Sequence, residues 1–258
     1  MSPAQPRIVL AGATGRTGNA VAHGLAARDD VQLVACVAPS LSSAPTRPVP
    51  AGTQAVASLA EVTVEAEVLV DLTHADAACD TLPAALERGW HVVLGTTGIA
   101  AEELERLGTQ AAGLQRGLLY APNFAIGAVL MMQFAQQAAR WLPDAEIIEM
   151  HHEAKRDAPS GTARRTAELV RVARGPRSEG PLQPGPAARG DLVDDIPVHS
   201  LRLPGAVAHQ EVIFGAAGER LTIRHDALDR ACYAAGVAAA VHGVTTYVGL
   251  RTGLESVL

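Results

Sequence analysis

The sequence has 258 residues, of which 48% are hydrophobic and 19% charged, a composition typical of a soluble globular protein. Its formal net charge of -6 gives no electrostatic attraction to nucleic acid or to an anionic membrane. We expect neither export nor a membrane span, because the sequence has no cationic start followed by a long apolar run. Three cysteines without a CxxC spacing indicate neither a disulfide framework nor a structural zinc site, and they fit a cytoplasmic protein.

The first half of the chain alternates short apolar runs with segments whose apolar residues recur at helical spacing. This alternation predicts a parallel sheet covered by helices on both faces, the doubly wound α/β arrangement. The length of the chain permits one large α/β domain or two ordinary ones, and we favour two. We expect strands at 7–12, 31–37, 67–72, 91–95 and 117–121, with helices at 19–27, 77–89 and 100–112.

The pattern changes in the second half of the chain. A long helix at about 125–141 is expected to lead into the strand EIIEMHH, and a second helix follows at about 161–173. Residues 174–191 are rich in Pro and Gly and indicate an exposed loop.

Three segments near the C-terminus alternate apolar and polar residues as strands do. They are VHSLRL, AVAHQEVIFG and ERLTIRHD, and the short turns between them predict an antiparallel meander. The second domain is therefore expected to be α+β. An alanine-rich helix after Asp226 is expected to return to the first domain.

The stretch GATGRTG, from Gly12 to Gly18, follows the first strand and opens the first helix. Its three glycines allow a tight turn and the close approach of a pyrophosphate, and the helix N-terminus offers unpaired N–H donors. Arg16 adds a cation that can face phosphate. The same spacing also occurs in strand–helix turns that bind nothing, but its position at the first strand favours dinucleotide binding.

Two further loops follow predicted strands at the same edge of the sheet, where doubly wound sheets bind ligands. They are DLTH, Asp71 to His74, and GTTG, Gly95 to Gly98. Their hydroxyl residues and glycines can hydrogen-bond a ribose or a carboxamide, although each loop alone is equally typical of a plain turn. Three such loops along one edge favour a nucleotide site.

The stretch HHEAKRDAPSGTA, residues 151–163, contains Lys155, the one lysine among 21 Lys and Arg residues. His151 and His152 end a strand, so their side chains should point to opposite faces, and we expect no metal site. Because histidine titrates near neutral pH, a catalytic proton donor is a natural role here. The alternative is a pair of partly exposed polar residues.

Ser160, Gly161 and Thr162 precede a helical pattern and predict an anion site at a helix N-terminus, or an ordinary helix cap formed by Ser160. Together with Lys155 they favour a receptor for carboxylates. A compact ammonium can bond a carboxylate and supply a proton in a pocket too tight for a guanidinium. We therefore expect a small anionic substrate.

The same stretch closely resembles the signature of the 4-hydroxy-tetrahydrodipicolinate reductase (dihydrodipicolinate reductase) family of the lysine and diaminopimelate pathway. The resemblance implies a Rossmann-like dinucleotide-binding domain, residues 1–123 plus 233–258, and an α+β domain for substrate binding and homotetramer formation, residues 124–232. It also implies hydride transfer from NADH or NADPH to a cyclic, imine-like dicarboxylate, with loss of water. Similarity extends along the chain in AGATGRTG, DLTH, VLGTTG, APNFAIGAVL, HSLRLPGAVAHQEVIFG and ERLTIRHDALDR.

The resemblance also implies roles for individual residues. His151 is implied as the general acid, and Lys155 as its partner and a substrate ligand. The other implied substrate contacts are His152, Ser160, Gly161 and Thr162. The implied dinucleotide contacts are Gly12, Thr14, Gly15, Arg16, Thr17, Gly18, Thr73, Gly95, Thr96, Thr97, Ala121, Pro122, Asn123 and Phe124.

Three positions depart from the family pattern. The second strand ends in Val37-Ala38-Pro39-Ser40 without the acid that selects NAD, Thr17 stands where a bulkier apolar residue is common, and Ala154 replaces a frequently polar or histidine position. These departures leave room for a paralogous reductase of another cyclic imine carboxylate. A separate alternative is a nucleotide-binding sensor that has lost turnover. We expect NADPH to be used at least as well as NADH, since a 2′-phosphate could be held by Ser40, Ser42, Ser43, Arg47 or Arg16.

Overall fold

The computed structural model describes residues 5–43, 45, 47–176 and 182–258. The chain divides into two compact units. Unit 1 comprises Met1–Ile126 and Arg230–Leu258, and unit 2 comprises Gly127–Asp229. The domain boundaries expected from the sequence, after residues 123 and 232, lie close to these divisions.

The helices and strands follow one another along the chain in three groups. The first group is β1 (Arg7–Ala11), α1 (Arg16–Ala26), β2 (Gln32–Val37), β3 (Gln54–Val56), β4 (Val68–Asp71), α2 (Ala75–Glu87), β5 (His91–Leu94), α3 (Ala101–Gly113) and β6 (Gly117–Tyr120). The second is α4 (Ile126–Ala138), β7 (Asp144–His151), α5 (Gly161–Arg174), β8 (Asp191–Val193), β9 (Ile196–Arg202), β10 (Ala208–Ala216) and β11 (Glu219–Ala227). The last is α6 (Tyr233–Val244) and β12 (Gly249–Thr252).

Unit 1 contains, among the described residues, a seven-stranded sheet in the order β12-β6-β5-β4-β1-β2-β3, with every neighbouring pair parallel. Its central strands are buried, and the helices that cover them form two pairs in contact, α2 with α3 and α1 with α6. The doubly wound parallel sheet is therefore confirmed. The sequence did not predict β3 and β12, because these short edge strands are largely not buried and show no continuous apolar run.

Unit 2 contains a mixed sheet whose described strands are ordered β11-β10-β7-β9-β8. The predicted meander is wrong in one respect, since β10 pairs with β11 but β7 lies between β9 and β10. The connection from β9 to β10 therefore crosses the carboxyl end of β7, where the Leu203 N–H donates to the His151 carbonyl at 3.0 Å. A buried strand needs ladder hydrogen bonds on both edges, and local alternation of residues cannot reveal which strands supply them.

Other element boundaries in the second half also differ from the sequence-based prediction. The helix expected at about 125–141 ends at Ala138 and is followed by a turn before Pro143. Part of the loop expected at 174–191 lies outside the described residues, and its end is the start of β8 at Asp191. The helix after Asp226 is α6, which belongs to unit 1 as expected. No helix in the described ranges is long and apolar enough to cross a membrane.

Candidate active site

The carboxyl end of β7 carries Glu149 and His151 two positions apart, so both side chains lie on the same face of the strand. Glu149 is fully buried, and its Oε2 lies 2.6 Å from His151 Nδ1. Arg202, at the end of β9, donates one guanidinium nitrogen to each Glu149 oxygen at 2.9 Å. The backbone N–H of Ser160 also donates to Oε1 at 3.1 Å. The carboxylate of Glu149 thus links β7, the neighbouring strand β9 and the start of α5.

These donors determine the charge of Glu149. Burial alone raises the pKa of its carboxyl group, but hydrogen bonds from His151, Arg202 and Ser200 outweigh burial and lower the pKa to about 2. Glu149 is therefore ionised at neutral pH and can only accept hydrogen bonds. It follows that His151 carries a proton on Nδ1, which leaves Nε2 to exchange a proton with a substrate.

Arg202 also holds the loop that carries the single lysine. Its Nη2 and Nε donate to the carbonyl oxygens of Asp157, at 2.6 Å, and Lys155, at 3.3 Å. Lys155 Nζ lies 2.8 Å from both carboxylate oxygens of Asp157, and the hydrogen bond from this ammonium lowers the pKa of the Asp157 carboxyl group. The side chain of Lys155 is mostly buried, whereas that of Asp157 is largely exposed. The ammonium of Lys155 is therefore held near the surface by a carboxylate of the same loop.

The start of α5 follows this loop and combines a buried cap with an open surface. Ser160 is 2% exposed, and its Oγ accepts from the Ala163 N–H at 3.2 Å, so its hydroxyl serves as the helix cap. Gly161 is exposed, and no atom lies within 4 Å of the position where a Cβ would stand. Thr162 and His152 are partly buried. An anion can therefore approach the N-terminus of α5 over Gly161 and Thr162.

The glycine turn of unit 1 has the geometry of a phosphate cradle. Gly12 has φ +82° and a Cβ there would lie 2.4 Å from the Leu72 carbonyl oxygen, while a Cβ on Gly18 would lie 2.1 Å from the Gly12 carbonyl oxygen. Gly15 is the N-cap of α1, and no side chain caps the helix. The first N–H groups of α1 are therefore left for a ligand, and a dinucleotide pyrophosphate fits this turn. The neighbouring Arg16 is exposed.

The two loops after β4 and β5 are tied together by Asp71, which is fully buried. Its Oδ1 accepts hydrogen bonds from the Thr73 hydroxyl at 2.7 Å, the Thr73 N–H at 3.1 Å and the Thr96 hydroxyl at 2.7 Å. The hydroxyls of Thr73 and Thr96 therefore point at Asp71. Thr97, on the same loop as Thr96, is exposed.

The loop after β6 packs on the same carboxyl edge of the sheet. A Cβ on Gly95 would lie 2.5 Å from the buried Phe124 ring, so only glycine fits there. Ala121 is buried and continues the pairing of β6 with β5, Pro122 is exposed, and Asn123 Oδ1 accepts from the Ala125 N–H at 2.9 Å. All the expected nucleotide loops thus lie at one edge.

The segment after β2 also reaches the glycine turn. Ser40 Oγ lies 2.8 Å from Thr14 Oγ1, and Arg47 Nη1 donates to the Thr14 carbonyl oxygen at 3.4 Å. Both Ser40 and Arg47 are exposed, so they remain accessible to a ligand. Thr17, one of the departures from the family pattern, is partly buried in the first turn of α1.

Sequence reasoning gave no role to Glu149 or Arg202, which organise the β7 site, and it named Asp71 only as the first residue of the DLTH loop. A glutamate among apolar residues of a predicted strand is a signal that a buried carboxylate needs partners. Its partner Arg202 is 53 positions away, and no local pattern connects the two. Among the described residues, no three His, Cys, Asp or Glu side chains are grouped so that they could hold a metal ion.

The burial of Glu149 leads to a stability prediction. Glu149→Gln should lower the free energy of unfolding at neutral pH by about 3 kcal/mol, because Arg202 loses its counter-ion. The folded-state pKa of about 2 lies below the ordinary value of 4.5, so the carboxylate stabilises the fold above pH 4.5 and loses this effect as the pH falls toward 2. The difference between wild type and variant, measured by urea denaturation, should therefore shrink over that range.

Glu168→Gln is the control for this experiment, since the half-exposed Glu168 side chain pairs with Arg165 one turn away on α5. Its unfolding free energy should follow that of the wild type at every pH. A deficit in Glu149→Gln that does not change between pH 4.5 and 2 would contradict an ionised Glu149.

Comparisons with known proteins cover both halves of the chain. The family described as "Dihydrodipicolinate reductase, N-terminus" matches residues 6–124, and the family described as "Dihydrodipicolinate reductase, C-terminus" matches residues 127–258. The 4-hydroxy-tetrahydrodipicolinate reductases of Moorella thermoacetica and Streptococcus gordonii are each 45% identical to this chain. The alignments cover 98% of this chain and 97% and 99% of the two relatives.

Solved structures agree with these matches. The chain is similar to dipicolinate-bound dihydrodipicolinate reductase from Paenisporosarcina sp. TG-14, with a TM-score of 0.86, 37% identity, and coverage of 99% of this chain and 100% of that chain. A probable dehydrogenase from Thermotoga maritima is similar in fold alone, with a TM-score of 0.65 at 12% identity over 96% of this chain and 91% of that chain. On the strength of matches to both of its halves, the chain belongs to the dihydrodipicolinate reductase family.

Proposed function

We propose that the chain reduces 4-hydroxy-tetrahydrodipicolinate to tetrahydrodipicolinate with NADPH or NADH and loss of water, in the diaminopimelate route to lysine. The observation that carries this proposal is that the buried Glu149 fixes His151 at the end of β7, directly before the loop that carries the single lysine. Family membership supports a pyridine-nucleotide-dependent reductase. The dipicolinate bound to the Paenisporosarcina relative supports a planar dicarboxylate as the type of ligand.

In this proposal His151 is the general acid. A bound nicotinamide nucleotide supplies a hydride, and the overall reaction also consumes one proton and releases one water molecule. Glu149 accepts a hydrogen bond from Nδ1–H and so fixes the orientation of the ring, and Nε2 carries the proton given to the substrate. Lys155 assists this transfer and binds a substrate carboxylate after exchanging its bond with Asp157.

The remaining substrate contacts lie around the start of α5. The N–H groups of Gly161 and Thr162 suit the second carboxylate, because the helix N-terminus is open above Gly161. His152 is a further contact. We assign Ser160 a supporting role, since its hydroxyl caps α5 and its N–H binds Glu149.

We propose that unit 1 holds the nucleotide along the carboxyl edge of its sheet. Gly12, Gly15 and Gly18 suit the pyrophosphate because side chains there would collide with backbone or block the approach. The hydroxyls of Thr73 and Thr96 act through Asp71, so the direct contacts of those two loops come from backbone and from Thr97. The other proposed contacts are Thr14, Arg16, Thr17, Gly95, Ala121, Pro122, Asn123 and Phe124.

The activity is tested by following NADPH absorbance with freshly generated 4-hydroxy-tetrahydrodipicolinate. The proposal is supported if this substrate is turned over faster than other cyclic imine carboxylates. Faster turnover of another cyclic imine carboxylate supports a paralogous reductase, and nucleotide binding without turnover of any of them supports a sensor.

Two substitutions should separate proton transfer from substrate binding. His151→Gln should lower kcat by roughly 100-fold with little change in KM, the effect of losing a positioned general acid. Lys155→Arg should raise KM and weaken inhibition by pyridine-2,6-dicarboxylate, because the wider guanidinium displaces a carboxylate from the compact site. Near-wild-type kcat in His151→Gln would remove this residue from the acid role.

For the nucleotide, we propose that NADPH is used at least as well as NADH. No acid follows β2 to repel a 2′-phosphate, and Ser40 and Arg47 contact Thr14 in the glycine turn. A hydroxyl and an exposed guanidinium beside the turn suit a phosphate ester. Arg16 is the second candidate cation.

Arg47→Ala should lower kcat/KM for NADPH by about 5- to 30-fold and leave the value for NADH unchanged, since only NADPH carries the extra phosphate. The preference for NADPH in the wild type should also shrink as salt is added. Arg106→Ala is the control, because Arg106 pairs with Glu103 on the surface of α3. An equal loss with both nucleotides would show that Arg47 supports the loop rather than the phosphate.

We also propose a cytoplasmic homotetramer formed through unit 2. The face of its sheet opposite Glu149 carries incompletely buried apolar residues, including Ile148, Met150, Leu201 and Ile213. The nine-residue β11 is an edge strand and is mostly exposed. Both features are common where a second copy covers a sheet. Free thiols at Cys36 and Cys79 fit a reducing compartment.

Light scattering at micromolar concentration should give the mass of four chains. Leu201→Asp should reduce the assembled mass, because it adds a charge to the uncovered sheet face where Leu201 is 39% exposed. Leu114→Asp is the matched control, since Leu114 is 42% exposed but lies in unit 1. A monomeric wild type, or equal loss of mass in both variants, would contradict this interface.

A further inference from the structure

Asp71 occupies a central position in unit 1. It is the last residue of β4, which pairs with β1 on one side and β5 on the other. The glycine turn follows β1 and the GTTG loop follows β5, so Asp71 lies between two of the loops proposed to hold the nucleotide. Its side chain is 0% exposed.

The donors around Asp71 differ in kind from those around Glu149. Oδ1 receives the Thr73 N–H, the Thr73 hydroxyl and the Thr96 hydroxyl, and Oδ2 receives the Thr81 hydroxyl at 2.8 Å. Four donors are the complement that an ionised carboxylate accepts. Within the described part of the chain, none of these partners is charged.

A buried carboxylate whose donors are all neutral has no counter-ion beside it to offset a negative charge. In such surroundings the field of a charge extends further than in water, because little solvent screens it. Asp71 lies at the carboxyl edge of the sheet, where ligands of doubly wound sheets bind. Its negative potential therefore acts on a ligand bound at that edge.

The two redox forms of a nicotinamide nucleotide differ by one charge at the ring. The dihydropyridine ring of NADPH is neutral, and loss of a hydride, one proton with two electrons, leaves a pyridinium cation. A nearby negative charge therefore favours the oxidised form. This argument rests on the proposed nucleotide-binding function of unit 1.

We propose that Asp71 makes the nucleotide site favour the pyridinium form, so that a bound reduced nucleotide is a stronger hydride donor than it is in water. Asp71 has a second, separable effect as a positioning residue, since its bonds to Thr73 and Thr96 tie the two loops together. The charge of Asp71 changes the affinity for the oxidised form relative to the reduced form. The hydrogen bonds that hold the two loops together affect both forms equally.

The experiment measures the dissociation constants of NADPH and NADP⁺ by calorimetry, without turnover. Asp71→Asn removes the charge and keeps the shape of the side chain, so it should raise the ratio Kd(NADP⁺)/Kd(NADPH) by about tenfold. Asp71→Ser is a second neutral variant in case the first is not folded, as judged by circular dichroism. An unchanged ratio in a folded neutral variant overturns the proposal.

Thr96→Val is the matched control, because it removes a bond between the loops and keeps the carboxylate. It should weaken both nucleotides by the same factor and leave the ratio as in the wild type. A shift in the ratio equal to that of Asp71→Asn would assign the effect to loop geometry and overturn the electrostatic role. If wild-type protein binds neither nucleotide, the proposed function itself fails; if it binds both with an unaltered ratio in Asp71→Asn, this inference alone fails.

Discussion

A carboxylate removed from water is costly unless donors surround it, and Glu149 satisfies this requirement with groups from three parts of unit 2. The imidazole of His151 comes from its own strand, the guanidinium of Arg202 from the neighbouring strand, and an N–H from the start of α5. These bonds fix the strand order, because Arg202 reaches Glu149 only if β9 lies beside β7. They also fix the tautomer of His151. The same contacts that permit the carboxylate to be buried therefore orient the imidazole that we propose as the proton donor.

Unit 1 also contains a buried carboxylate, but its hydrogen-bond donors are of a different kind. Asp71 is surrounded by hydroxyls and one backbone N–H, whereas Glu149 is paired with a cation. The two arrangements have different electrostatic outcomes. In unit 2 the guanidinium cancels most of the charge, and the benefit is the orientation of an imidazole. In unit 1 the described side-chain partners of Asp71 are neutral hydroxyls, an arrangement that fits the proposed site for a ligand that changes its own charge.

The sequence predicted those features that depend on local periodicity and on contiguous motifs. The parallel sheet of unit 1 follows from apolar runs such as VVL in β5, and the helix cap at Ser160 was foreseen as one of two roles for that residue. The place of β7 at the centre of its sheet could not be predicted, because strand order depends on which distant groups satisfy a buried polar side chain. Glu149 and Arg202 form such a pair, and each alone looks like an ordinary surface residue type.

The bond between Lys155 and Asp157 has a consequence for selectivity. An incoming anion does not meet a vacant cation; it must exchange with a carboxylate that the protein already provides. A small monoanion such as chloride or acetate replaces one ion pair by another and gains little. In the proposed substrate site, a ligand with two carboxylates would make the same exchange and add a second set of bonds at the N-terminus of α5. In the proposed binding mode, the pairing of Lys155 with Asp157 therefore favours dianions over simple monoanions.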